Sequence, residues 1–184
     1  MQIRRTGLLL ATLGMAGLSA CRSLQDYPDE WPSLRQLQAS ECPLLDGVFD
    51  SRAVLFSGHL IVGKDPRLSG ILAWGLVDRI PSPAAERLER MDRIGVHLRG
   101  SRLELEAYGK DGDSLTGHLP VELPCEKSLV IVSRGRGRGF EEWGGLGLAA
   151  DGSLVYVTER HSGLAPALAS QRGWARFKSA SQGE

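Results

Sequence analysis

The sequence predicts a mainly β protein: an antiparallel, strongly twisted sheet or small barrel-like domain with one short helix. Apolar residues recur with a period of two at Ile94, Val96 and Leu98, and again at Leu103, Leu105 and Ala107. That period puts one face of each strand in the core and leaves the other wet. Turn signals (Gly100-Ser101, Gly109 to Asp113, Asp151-Gly152) interrupt the chain at short intervals, and Asp-Gly between β-prone runs marks a hairpin. Only the stretch from Pro81 to Met91 carries a clear set of helix signals. Roughly eight to ten short strands joined by such turns favour a barrel-like sheet over a two-sheet sandwich.

In chain order, residues 1–20 form a signal peptide. Arg4 and Arg5 precede an uncharged, mostly apolar run from Gly7 to Leu18, the length of an export-signal core. A membrane-spanning helix needs about 20 apolar residues. Leu18-Ser19-Ala20-Cys21 resembles the processing box of bacterial lipoproteins, which pairs a branched apolar residue and two small residues with a cysteine. The resemblance implies lipidation of Cys21, cleavage before it, and acylation of the new amino group. Two or three acyl chains anchor stably where one does not. An ordinary secretory signal with an incidental cysteine, or an uncleaved anchor, fits the same stretch. Arg22 stands where enteric lipoproteins retained at the inner membrane carry aspartate. The implied address is therefore the outer membrane, with the domain facing the periplasm.

Residues 21–40 read as a lipidated tether. Pro28 and Pro32 flank Asp29, Glu30 and Trp31 in a stretch with few apolar residues; Trp31 either docks on the domain or sits near lipid headgroups. Residues 41–184 are the β-rich domain. Glu41 to Phe49 leads into a first strand through a Leu-Asp-Gly turn. Cys42-Pro43-Leu44-Leu45-Asp46-Gly47-Val48-Phe49, with Trp174-Ala175-Arg176-Phe177 near the end, resembles a group of uncharacterised proteobacterial lipoproteins, which implies no activity.

Val54 to Phe56 and His59 to Val62 are short β-prone runs, and Ser69 to Asp78 is apolar and ambiguous between strand and buried turn. From Pro81 to Met91, Ser82 can cap a helix, Pro83 suits its first position, and Glu86 pairs with Arg90 at i,i+4. The alternating meander follows. Leu115 to Leu123 reads as a strand, Leu129 to Val132 as a fully apolar strand, and Arg134 to Gly139 as a loop. Gly145 to Ala149 and Leu154 to Thr158 flank the Asp-Gly hairpin; Gly163 to Ser170 is loop or short helix, and Trp174 to Lys178 is the last strand.

Composition bounds function. Two of the 22 basic residues and none of the 22 acidic ones lie in residues 1–20, which leaves the mature chain near neutral. No global field favours nucleic acid. Of three cysteines, Cys21 is assigned to lipid, and an oxidising compartment favours pairing Cys42 with Cys125. The alternative is one free buried and one exposed thiol. No CxxC or paired Cys/His spacing suggests a metal, and no cofactor is implied.

Arg134, Arg136 and Arg138 alternate with glycine. They could grip phosphate or carboxylate groups of lipopolysaccharide, phospholipid or an acidic envelope partner. A solvated hairpin loop balanced by Glu141 and Glu142 is the simpler account. Gly145 to Ala150 matches GxGxxA, but it runs into a hairpin rather than from strand to helix. His59, His97, His118 and His161 are scattered, Glu104 and Glu106 share a wet strand face, and no GxSxG elbow is present. Trp74, Trp143, Trp174 and Tyr156 suit either a pocket or core packing. The resulting expectation is a non-catalytic binding or structural module for a protein or glycan partner such as an envelope protein, lipopolysaccharide or peptidoglycan. A small-molecule or lipid carrier with an apolar barrel interior is the alternative, and a cell-wall or lipid hydrolase the third reading.

Overall fold

The computed structural model describes residues 27–35, 42–58, 67–75, 86–88, 90–121, 125, 128–137, 140–162 and 171–182; the proposed signal and Cys21 lie outside them. Among the described residues nine strands form two antiparallel sheets. The strands are β1 (Asp46–Asp50), β2 (Leu55–Gly58), β3 (Arg93–Arg99), β4 (Arg102–Tyr108), β5 (Ser114–Pro120), β6 (Val130–Gly137), β7 (Phe140–Leu148), β8 (Leu154–Ser162) and β9 (Gln171–Phe177). One sheet has the order β1-β3-β4-β5 and the other β2-β9-β8-β7-β6. The helix α1 (Leu68–Gly75) follows β2, and a short 3-10 turn, Ala180–Gln182, follows β9.

The sheets are joined at a bend. Asp50 donates its backbone N–H to the Lys178 carbonyl and Val54 donates to that of Arg176. The chain from β1 through β2 thus follows the end of β9 while β1 also pairs with β3. On the opposite side the sheets do not close into a barrel: among the described residues β5 pairs only with β4 and β6 only with β7. The Cys42–Cys125 disulfide (S–S 2.10 Å, Cα–Cα 5.2 Å) ties the approach to β1 to the β5–β6 connection.

The inner faces of both sheets meet in one packed cluster. Ile94, Val96, Leu103 and Leu105 come from one sheet, and Val130, Leu146, Leu154, Tyr156 and Phe177 from the other. The helix α1 contributes Leu68, Ile71 and Leu72, an i, i+3, i+4 stripe. The stretch that was ambiguous between strand and turn therefore begins as a helix. Of the described residues within the expected helix over 81–91, Glu86, Arg87 and Leu88 are helical, whereas Arg90 is in a turn and Met91 is not helical.

A second apolar layer covers the outer face of the five-stranded sheet. Val155, Val157 and Trp174 pack there with Trp31 and Leu34. Residues 27–35, expected within the tether, lie along this face: Leu34 bridges Ala149, Arg35 donates its backbone N–H to the Leu148 carbonyl, and Ala150 donates to that of Ser33. Tyr27 meets Trp174 edge-on at 5.1 Å and donates its hydroxyl to the Pro32 carbonyl at 2.5 Å. Trp31 is buried on the domain.

Candidate functional site

The bend that joins the sheets also builds a polar concavity. Buried Ser51 anchors it, donating its N–H to the Asp92 carbonyl (2.7 Å) and accepting from the Leu68 N–H (2.7 Å). Its hydroxyl meets that of Ser69 at 2.9 Å. Four chain segments are thereby fixed around one point: the β1–β2 bend, the start of α1, the residues before β3, and the β4–β5 turn, which Asp92 holds through its N–H to the Tyr108 carbonyl.

Two adjoining open grooves result, of about 430 and 590 Å³. Both are lined by Arg67, Asp92 and Lys110; Arg52 and Arg93 line the first, Arg87 and Arg90 the second. Six basic side chains face four carboxylates across the pair, so the local excess is cationic. Lys110 lies 3.9 Å from Asp92 and Arg87 3.5 Å from Asp113. Exposed pairs of this geometry are weak, which leaves the cations able to exchange carboxylate partners for an incoming anion. Planar guanidiniums suit carboxylate or phosphate oxygens. Neither groove has the apolar, aromatic lining of a hydrophobic-ligand chamber.

Of the loop expected from Arg134 to Gly139, residues 134–137 are strand. Arg134 and Arg136 lie in β6, opposite Trp143 and Glu141 of β7, and Arg134 shares the outer side of the sheet with Trp143. Alternating arginine and glycine reads as flexible chain, but pairing with β7 supplies the missing order. Arg134 is exposed, and Arg138 lies outside the described residues. Arg134 is not among the residues that line the grooves.

Sequence reasoning missed two ion-pair clusters on the five-stranded sheet. On the inner side Arg160 donates to Glu142 Oε2 through Nε (3.3 Å) and a terminal guanidinium nitrogen (3.0 Å). On the outer side Glu159 lies 2.9 Å from Arg172 and 3.0 Å from His161. Glu142 and Glu159 are both buried. Each pair with arginine is a directly opposed cross-strand pair, a signal visible only once register is known.

Other candidates are structural. Tyr156 is buried in the core, and burial pushes its hydroxyl up to about 12. Trp174 and Trp143 belong to the outer apolar layer; the Trp74 side chain and His59 lie outside the described residues. His97 meets Asp46 at 2.5 Å, with Arg99 at 3.1 Å from the same carboxylate. Hydrogen bonds from His97 and then Arg99 hold Asp46 below its ordinary range. Glu104 lies opposite His97 and His118 on the wet face of β4, and Tyr108 donates its hydroxyl to Glu106. Gly145 and Gly147 lie within β7, between strands rather than at a helix. Among the described residues no group of three or more His, Cys, Asp or Glu is placed to hold a metal ion, and no helix is long and apolar enough to cross a membrane.

No family model matches the chain and no curated protein matches it. Among solved structures, a zebrafish ileal bile acid-binding protein complexed with cholic acid aligns with 73% of this chain and 98% of its own. The identity is 9% and the TM-score 0.33, too low to carry fold or function across.

Proposed function

We propose that the protein is an outer-membrane lipoprotein, anchored through Cys21, whose β-rich domain faces the periplasm and binds an anionic protein or glycan partner without catalysing a reaction. The supporting observation is the contrast between interior and surface. The inner faces of both sheets are filled by side chains, while cationic residues from four separate segments converge on open grooves at the bend. A carrier of apolar molecules would need a chamber where these side chains pack.

The test is retention on immobilised lipopolysaccharide or peptidoglycan, and pull-down of acidic envelope proteins. Arg67→Ser with Lys110→Ser should weaken retention by roughly tenfold, the scale of one or two charge-assisted contacts. Arg134→Ser, Arg136→Ser and Arg138→Ser together should leave it nearly unchanged. The reverse ranking would move the site to β6 and its hairpin. Retention indifferent to both sets would remove the anionic-partner reading. Anchoring is tested separately by intact mass: a triacyl adduct beginning at Cys21 should be lost in Cys21→Ala.

A further inference from the structure

The two sheet edges that fail to meet are differently defended. The β6 edge carries Arg134 and Arg136, and its register with β7 shifts between Ile131 and Ser133. Charges and bulges are the usual means of blocking strand addition. The β5 edge is blunted only at its end, where Pro120 has no N–H to donate: Ser114–Pro120 contains no Asp, Glu, Lys or Arg, and its pairing with β4 is regular over all seven residues. Ser114, Thr116, Gly117 and His118 are exposed, and no atom lies within 4 Å of where a Gly117 Cβ would be. Among the described residues no strand pairs with its far side. Such an edge offers unpaired backbone donors and acceptors to another strand.

The sequence of this edge indicates which strand. Around Gly117, Ser-Leu-Thr-Gly-His-Leu-Pro is a near palindrome of polar and apolar residues. In an antiparallel pair centred on Gly117, Leu115 opposes Leu119 of the second strand and Thr116 opposes His118. Leu119 is in the core and Leu115 packs against it, so both leucines share the core-facing side. From Leu115 to Leu119 like would meet like on both faces, as a two-fold symmetric interface requires, with Ser114 and Pro120 meeting at the ends. Cross-strand pairs of matched polarity are the stabilising units of a sheet.

We propose that β5 pairs with β5 of a second copy of this chain. The dimer is symmetric about Gly117 and joins two four-stranded sheets into a continuous eight-stranded one. This does not depend on the ligand or the membrane address.

The test is sedimentation equilibrium of the full chain in density-matched detergent. The wild type should show a concentration-dependent monomer–dimer equilibrium. Thr116→Lys should weaken it by roughly tenfold or more, because it puts charge on the bare edge. The new lysine lies opposite Glu106 within its own sheet, so the fold is not threatened. Arg134→Glu, at the other edge, should leave the equilibrium unchanged. In a mixture of Thr116→Cys and His118→Cys chains, mild oxidation should link the two kinds to each other far more than either to itself. A wild type that stays monomeric overturns the proposal. So does a dimer indifferent to Thr116→Lys, one broken by Arg134→Glu, or cross-linking without preference for the mixed pair.

Discussion

The two sheets share one core but differ in what covers their outer sides, and their sequences record it. In β4 of the four-stranded sheet, exposed and buried residues alternate without exception from Arg102 to Tyr108. In β8 of the five-stranded sheet, Leu154 to Glu159 are all buried. The even-numbered apolar residues of β8 face the core and the odd-numbered ones face Trp31, Leu34 and Trp174. A strand with one wet face must alternate, while a strand covered on both sides need not. Leu-Val-Tyr-Val is thus the signature of a third layer, supplied by residues 27–35.

If that outer layer is as structural as the core, Trp174→Ala should cost about 3–5 kcal/mol in urea unfolding, the range for a buried aromatic. A cost below about 1 kcal/mol would reduce residues 27–35 to a loosely held strap. Replacing Cys42 and Cys125 together by Ser should remove about 2–4 kcal/mol, since the bridge spans 83 residues and secures the side where the sheets do not pair. Gly147→Ala should cost about 1–3 kcal/mol by overpacking. Its new methyl would meet the Leu129 side chain at 2.9 Å and the Ser128 carbonyl oxygen at 3.1 Å, beneath the outer layer. Gly117→Ala in the four-stranded sheet meets nothing and should be nearly neutral.

Alkaline titration separates the sheets by another route. Tyr156 is neutral when protonated, and its folded value is about 12 against an ordinary 10. Its contribution to stability is therefore complete below pH 10 and is lost as pH rises from 10 through 12. Tyr156→Phe should flatten that limb, measured by unfolding at stepped pH. The smallest effect belongs to the wet face of β4: Glu104→Ala should change stability by no more than about 0.5 kcal/mol.

The same distinction explains what was legible beforehand. The alternation of Leu103, Leu105 and Ala107 fixes β4 and its wet face, because local period is all that decision needs. Cys42 and Cys125 follow from counting thiols and a compartment. Residues 134–137 read locally as loop because their order comes from pairing with β7, a long-range term absent from local propensity. The helix at Leu68–Gly75 was hidden because an apolar run that short has no decisive period. The grooves could not be read at all: Arg52, Arg67, Arg93 and Lys110 come from four separated segments, and only the backbone bonds around Ser51 bring them together.

Docking of residues 27–35 also changes the leash. Under the anchoring proposed above, six residue steps separate lipidated Cys21 from Tyr27. Even fully extended they reach only about 20 Å, where a free tether to residue 40 would allow roughly three times as much. The domain would then have a preferred orientation, with the Tyr27 end of its aromatic layer turned toward the bilayer. On that proposal its search for a partner would become a two-dimensional sweep across a thin zone beside the membrane rather than a free exploration of the periplasm's depth.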